Sequence, residues 1–206
     1  ANHMPGGQER ALRRRINSVQ STKQITRAME LIAATRVVKA MTRANAARPY
    51  SSKMTGVIED LAAGGVGIDD PLLRSADAVS SVGFVVITSD RGLAGAYNSS
   101  VIRAAEKEVM AAQTEGKKYK LVLVGKKAVD YFRFRNYKIE ASSSGMTDTP
   151  SYEDARVVAS KVRELFVTEE VDQVILAYQE FVSMGTQRVA VRKFLPLESM
   201  QTVASE

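Results

Sequence analysis

Gly83-Phe84-Val85-Val86-Ile87-Thr88-Ser89 runs directly into Asp90-Arg91-Gly92-Leu93-Ala94-Gly95-Ala96-Tyr97-Asn98. The first half is a short unbroken apolar run, the pattern of a strand covered on both faces rather than alternately wetted. The second half is a glycine-bearing turn. Beyond it Val101, Ile102, Ala105, Val109 and Ala112 mark one face of a helix that Gly116 closes. A buried strand, a tight turn and an amphipathic helix together make a unit that cannot stand alone, so the chain around it is expected to repeat the theme.

It does so downstream. Tyr119 to Val124 reads as a second buried strand, Lys126 to Phe134 as a short helix and Lys138 to Ala141 as a third strand. The polar loop Ser142 to Asp148 leads to Thr149-Pro150, taken as an N-cap with proline in the first turn. A helix follows with Ala155, Val158, Ala159, Val162, Leu165 and Phe166 on one face. Val174 to Tyr178 is a fourth buried strand, and after Met184-Gly185 the segment Arg188 to Leu195 can return as an antiparallel edge strand. The predicted class is α/β, a Rossmann-like, doubly wound and mainly parallel sheet of about five strands.

Upstream the sequence changes character. Gln8 to Arg48 holds neither Gly nor Pro and is rich in Ala, Arg, Met, Leu, Gln and Lys, all good helix formers. At ~1.5 Å per residue it makes a rod of roughly 60 Å, several times an average helix. A bend or short break is expected near Pro49, with helix resuming until Gly64-Gly65. The rod carries ten basic and two acidic residues, a charge of +8, whereas the rest of the chain holds 19 basic and 21 acidic. The formal net charge of +6 therefore belongs to the rod alone. Its apolar residues also divide: Leu12, Ile16 and Val19 lie on one side, and Ile25, Met29 and Ile32 on roughly the opposite side. Such a helix is gripped from different directions along its length.

Composition narrows the chemistry. There is no cysteine, and the only histidine, His3, sits in Ala1-Asn2-His3, which looks like a cloning remnant ahead of a start methionine, Met4. Thiolate and histidine-ligated metals, cysteine nucleophiles and a histidine general base are thereby excluded. Asp90 and Arg91 lack a second convergent carboxylate, so a local ion pair or a helix-start carboxylate is the favoured reading, and Tyr97 is expected to pack. The G-x-x-G spacing of Gly92 and Gly95 is not the dinucleotide fingerprint, and no Walker lysine follows. A tight turn is preferred to a nucleotide site. Nucleic acid is disfavoured because Gln8 to Arg48 has no aromatic residue for base stacking. An interfacial membrane helix would need one consistent apolar face.

Two segments carry a resemblance. Arg14-Arg15-Ile16-Asn17-Ser18-Val19-Gln20-Ser21-Thr22-Lys23-Gln24-Ile25-Thr26-Arg27-Ala28-Met29-Glu30-Leu31-Ile32-Ala33-Ala34, continuing to Ala47-Arg48-Pro49-Tyr50, and Thr88 to Asn98, resemble the gamma subunit family of F-type ATP synthases. That resemblance, in the same order from about Gly7 to Leu197, implies a central rotor shaft. The N-terminal helix would belong to an antiparallel coiled coil inside a ring of alpha and beta subunits. The α/β domain would sit toward the membrane, against the epsilon subunit and the ring of c subunits. Rotation would couple proton flow to conformational change at the catalytic beta sites, with no catalytic residue, cofactor or metal in the shaft itself. By position, Lys23, Arg27, Met29, Glu30, Arg36 and Lys39 would face the catalytic ring; Ile16, Val19, Ile25 and Ile32 would pack the coiled coil; Asp90, Arg91, Gly92, Gly95 and Asn98 would form the family's motif turn.

The implied layout is residues 1–7 as remnant and N-terminus, 8–63 as shaft helix, 64–81 as linker, 82–197 as the α/β domain and 198–206 as a tail. The tail is expected to stop short of the family's C-terminal helix, leaving the chain to self-associate through its first helix. The implied location is the cytoplasmic face of a bacterial plasma membrane, with membrane contact only through partners. The alternative reading is a nucleotide- or small-ligand-binding domain with a basic helical arm.

Overall fold

The computed structural model of the protein describes residues 6–63 and 70–197. Residues 1–5 of the expected N-terminal segment, the start of the expected linker and the tail at 198–206 fall outside those residues. The chain divides into two compact units, residues 1–57 and 58–206.

The first unit is nearly all one helix, α1 (Gly6–Ala63), which opens two residues before the expected start. Of the bend or short break expected near Pro49, the break is absent: α1 is helical on both sides of it. Proline removes a single amide from the ladder. The carbonyl of Pro49 is still used, accepting from the Ser52 hydroxyl at 3.2 Å. Low helix-breaking content elsewhere along the 58 residues lets propagation carry through one missing bond.

The second unit is the predicted α/β fold. A short 3-10 turn (Pro71–Leu73) precedes β1 (Ser81–Ile87), α2 (Tyr97–Thr114), β2 (Lys118–Val124), α3 (Lys126–Phe134), β3 (Ile139–Ser143), α4 (Tyr152–Val167), β4 (Gln173–Ser183) and β5 (Thr186–Leu195). Strand order is β3-β2-β1-β4-β5, with β1 parallel to both β2 and β4 and only β5 antiparallel. The period-two alternation of β1 sends Val82, Phe84 and Val86 to one face and Val85 to the other. On the first face they meet Val101, Ile102, Ala105, Val109 and Ala112 of α2, together with Ala128, Val129 and Phe132 of α3. On the second, Val85, Val122 and Val174 pack under Val162, Leu165 and Phe166 of α4.

Three local details differ from expectation. Helix α4 is capped not by Thr149 but by Ser151, whose hydroxyl accepts the Asp154 amide at 3.2 Å while the Asp154 carboxylate accepts the Ser151 amide at 2.8 Å. This reciprocal pair satisfies two end donors and outcompetes a proline start. Ala155 and Ala159, expected on the same face as Val162, Leu165 and Phe166, are exposed and line an open groove beside the sheet. Strand β4 runs five residues past the expected end at Tyr178, because β5 keeps pairing with it as far as Ser183↔Thr186.

Candidate functional site: the loops at the carboxyl end of the sheet

Chain reversal after β3 makes the carboxyl ends of β1, β2 and β4 the place where such sheets hold ligands. Three connections meet there, β1–α2, β2–α3 and β3–α4. The tight turn after β1 is built from two left-handed residues, Leu93 (φ 60°) and Gly95 (φ 56°). Gly95 meets no heavy atom within 4 Å of a built Cβ, so its backbone angle and not crowding favours glycine. Asn98 fastens the turn from the α2 side: its Oδ1 accepts the Ser89 amide at 2.9 Å and its Nδ2 donates to the Ser89 hydroxyl at 2.9 Å. Arg91 pairs with Asp148 at 2.8 Å. Gly92 lies beside the Lys127 side chain. Tyr97 packs, with a phenol pKa raised by burial.

Asp90 is a helix-start carboxylate, but for α3 and not for the helix that follows it in sequence. Its Oδ1 accepts the Lys126 amide at 2.9 Å. Its Oδ2 accepts the Thr147 amide at 3.0 Å and the Thr147 hydroxyl at 2.7 Å. Partial burial pushes the carboxyl pKa up, but the bonds from the Thr147 hydroxyl and from the backbone at Gly145, Thr147 and Lys126 outweigh it and bring the pKa down to about 2. Thr147 was invisible to sequence reasoning, being one polar residue in a polar loop.

The folded carboxyl thus titrates below its ordinary value of 3.8. Its contribution to stability is fully present above about pH 4 and is lost as pH falls toward about 2. Asp90→Asn is therefore expected to be less stable at neutral pH and to lose less between pH 4 and 2 in acid unfolding curves. Parallel curves for variant and parent would contradict the assignment.

The other amides opening α3 are also engaged. Lys127 donates to the Ser89 carbonyl at 3.2 Å and Ala128 to the Thr88 hydroxyl at 3.0 Å. The groups that could cradle an anion at the start of α3 are bonded to the chain itself. Beside them a groove of about 540 Å³ opens between the sheet and the first half of α4, walled by Val85, Ile87, Val124, Val158 and Leu176. The carboxylate on its rim, Asp154, is committed to the α4 cap. A second depression of about 770 Å³ lies at the opposite end of the sheet, where Lys120 bridges Glu140 and Glu170.

The residues expected to serve the shaft belong to the first unit. Ile16, Val19, Ile25, Met29 and Ile32 are between 45% and 61% exposed on α1, a strong apolar excess for a solvent-facing helix. Lys23, Arg27, Glu30, Arg36 and Lys39 are exposed on the same helix. At ~100° per residue, Ile16 and Val19 face away from Ile25 and Ile32.

A family model described as ATP synthase matches residues 8–206. Among curated proteins the chain is similar to the ATP synthase gamma chain of Frankia casuarinae, 44% identical over 200 residues, covering 95% of this chain and 67% of that one. The gamma chain of Kineococcus radiotolerans is 42% identical over 96% of this chain and 66% of its own length. The chain spans about two thirds of the length of these relatives. Among solved structures, a chain of the central stalk and c-ring of Tetrahymena thermophila mitochondrial ATP synthase superposes with a TM-score of 0.65 at 25% identity, over 84% of this chain and 72% of that one. A chain of Euglena gracilis mitochondrial ATP synthase shares the fold at 17% identity, with a TM-score of 0.59, over 93% of this chain and 58% of that one. With a family match across nearly the whole sequence and relatives above 40% identity, the chain belongs to the ATP synthase gamma chain family.

Proposed function

We propose that this protein is the non-catalytic central shaft of a rotary ATP synthase, coupling proton flow through the membrane sector to conformational change at catalytic beta sites by rotation. The observation that carries the reading is α1: 58 residues of continuous helix, about 87 Å long at 1.5 Å per residue, with exposed apolar residues on opposite sides and a concentrated positive charge. A solvated helix has no use for that pattern, and a helix enclosed by a partner helix and by a surrounding ring does. Lys23, Arg27, Arg36 and Lys39, with Met29 and Glu30 among them, would face alpha and beta subunits, where charge steers and positions more than it adds affinity. Methionine, pliable and without directional bonds, suits a contact that slides. Of the four residues expected to pack the coiled coil, Ile16 and Val19 share one side and would meet the partner helix, while Ile25 and Ile32 on the other side would need the surrounding ring; the α/β domain would meet the epsilon subunit and the c-ring.

No helix among the described residues is long and apolar enough to cross a membrane. The place proposed is the cytoplasmic face of a bacterial plasma membrane, reached through partners. In isolation the exposed faces of α1 favour self-association. The alternative, a ligand-binding domain with a basic arm, is weakened by the turn after β1, where the spacing of Gly92 and Gly95 is not the dinucleotide fingerprint.

Co-expression with alpha and beta subunits tests the reading. The chain is expected to co-purify with them at low salt, and Lys23→Glu with Arg27→Glu to cut the recovered amount at least several-fold. Recovery free of alpha and beta subunits, or equal recovery of parent and double variant, would count against it.

A further inference from the structure

Donors from two connections converge on a single point at the carboxyl end of the sheet, and a third connection supplies the anion. The Lys126 amide comes from the start of α3, and the amide and hydroxyl of Thr147 come from the β3–α4 loop. The carboxylate belongs to the β1–α2 turn. The Asp90 amide in turn donates to the Thr147 hydroxyl oxygen at 2.8 Å. Around this point stand the Arg91–Asp148 pair at 2.8 Å, the Lys126–Asp130 pair at 3.0 Å, and Lys127, whose ammonium lies over Gly92. The aligned amides at a helix start favour negative charge. Here the favoured anion is on view, seated and ionised, and it is a side chain of the protein.

We propose that this crevice is an oxyanion site occupied by an internal ligand, the Asp90 carboxylate, which locks the three connections together; with that carboxylate removed, the crevice takes a small free carboxylate in its place. The lock has a mechanical object. Leu93, 91% exposed and held at positive φ, projects from the turn that Asp90 anchors. Asp90 is a positioning residue in this arrangement. The inference concerns the α/β domain alone and stands whether or not the chain acts as a rotor.

The test uses the 206-residue chain and Asp90→Ala, with formate as probe and chloride at equal ionic strength as control. Formate is the group that the substitution deletes. Amide hydrogen exchange is read at Lys126 and Thr147. In Asp90→Ala both amides are expected to exchange roughly tenfold to a hundredfold faster, the range lost with charge-assisted bonds. Formate at tens of millimolar should recover part of that protection, chloride none, and the parent chain should respond to neither. Unchanged protection in the variant, or recovery equal in formate and chloride, would overturn the proposal. Should Asp90→Ala not fold in chloride, refolding titrated with formate reads the same site, and absence of a formate-specific gain is again fatal. Thr147→Val, which keeps Asp90, is expected to loosen the Lys126 amide; full protection there would break the claimed link between the loops.

Discussion

Gly125→Ala is expected to cost the α/β domain about 4 kcal/mol or more, a large share of the ~5–15 kcal/mol that holds such a domain together. Gly125 joins β2 to α3 at φ 92° and ψ 137°. A Cβ there would stand 2.2 Å from the Thr88 carbonyl oxygen and 2.6 Å from its carbon. Thr88 cannot retreat: it is fully buried, its amide donates to the Val124 carbonyl at 2.8 Å, and its hydroxyl donates to the same carbonyl at 3.1 Å. Urea unfolding followed by tyrosine fluorescence measures the loss in a chain that has no tryptophan. Gly145→Ala is the control, with φ 86° but no heavy atom within 4 Å. It carries backbone strain alone, roughly 1–3 kcal/mol. Equal destabilisation of the two variants would show that the collision with Thr88 is relieved.

The second large effect is expected at Phe166. Its ring is fully buried beneath α4, in the cluster that includes Leu165, Val171 and Leu195. Arg74 lies over that ring with its guanidinium carbon 4.8 Å from the centroid, and donates to the Phe166 and Val171 carbonyls at 3.0 and 3.3 Å. Phe166→Ala removes core volume and the platform for a cation, and should cost about 3–5 kcal/mol. Phe166→Leu keeps most of the volume and should cost appreciably less. Because Arg74 also binds backbone, Arg74→Ala and Phe166→Ala are expected to be non-additive in a double-mutant cycle. Strict additivity would mean that the stacked pair contributes nothing of its own.

Local periodicity was legible in this chain wherever the opposing surface was continuous. All five residues expected on the buried face of α2 are buried, because a 3.6-residue period meets an unbroken sheet. The same period in α4 overstates the core, since Ala155 and Ala159 border an open groove and are exposed. Periodicity reports what a helix could bury and says nothing of what lies opposite. The extension of β4 through Gln179, Glu180 and Phe181 was illegible for a related reason. Those residues are held by pairing with β5, assisted by Glu180, which accepts from Arg188 and Arg192 at 2.6 and 2.9 Å. That Asp90 could serve a helix start was legible, but that the helix is α3 and that Thr147 is its partner was not, for each finds the other only after α2, β2, α3 and β3 have been folded between them. The length and charge of α1, by contrast, were plain in the sequence because they need no partner to be read.

Strand β4 pairs with β1 only as far as Ala177, so from Tyr178 onward it has β5 alone beside it. Two strands without a third resist bending poorly, while a sheet covered by helices on both faces behaves as a plate. Load applied at the Met184-Gly185 tip would be absorbed as flexure of a ribbon. Load applied at the Asp90 turn would enter the plate through three loops at once. One end of the same sheet therefore offers a compliant spring and a stiff coupling side by side.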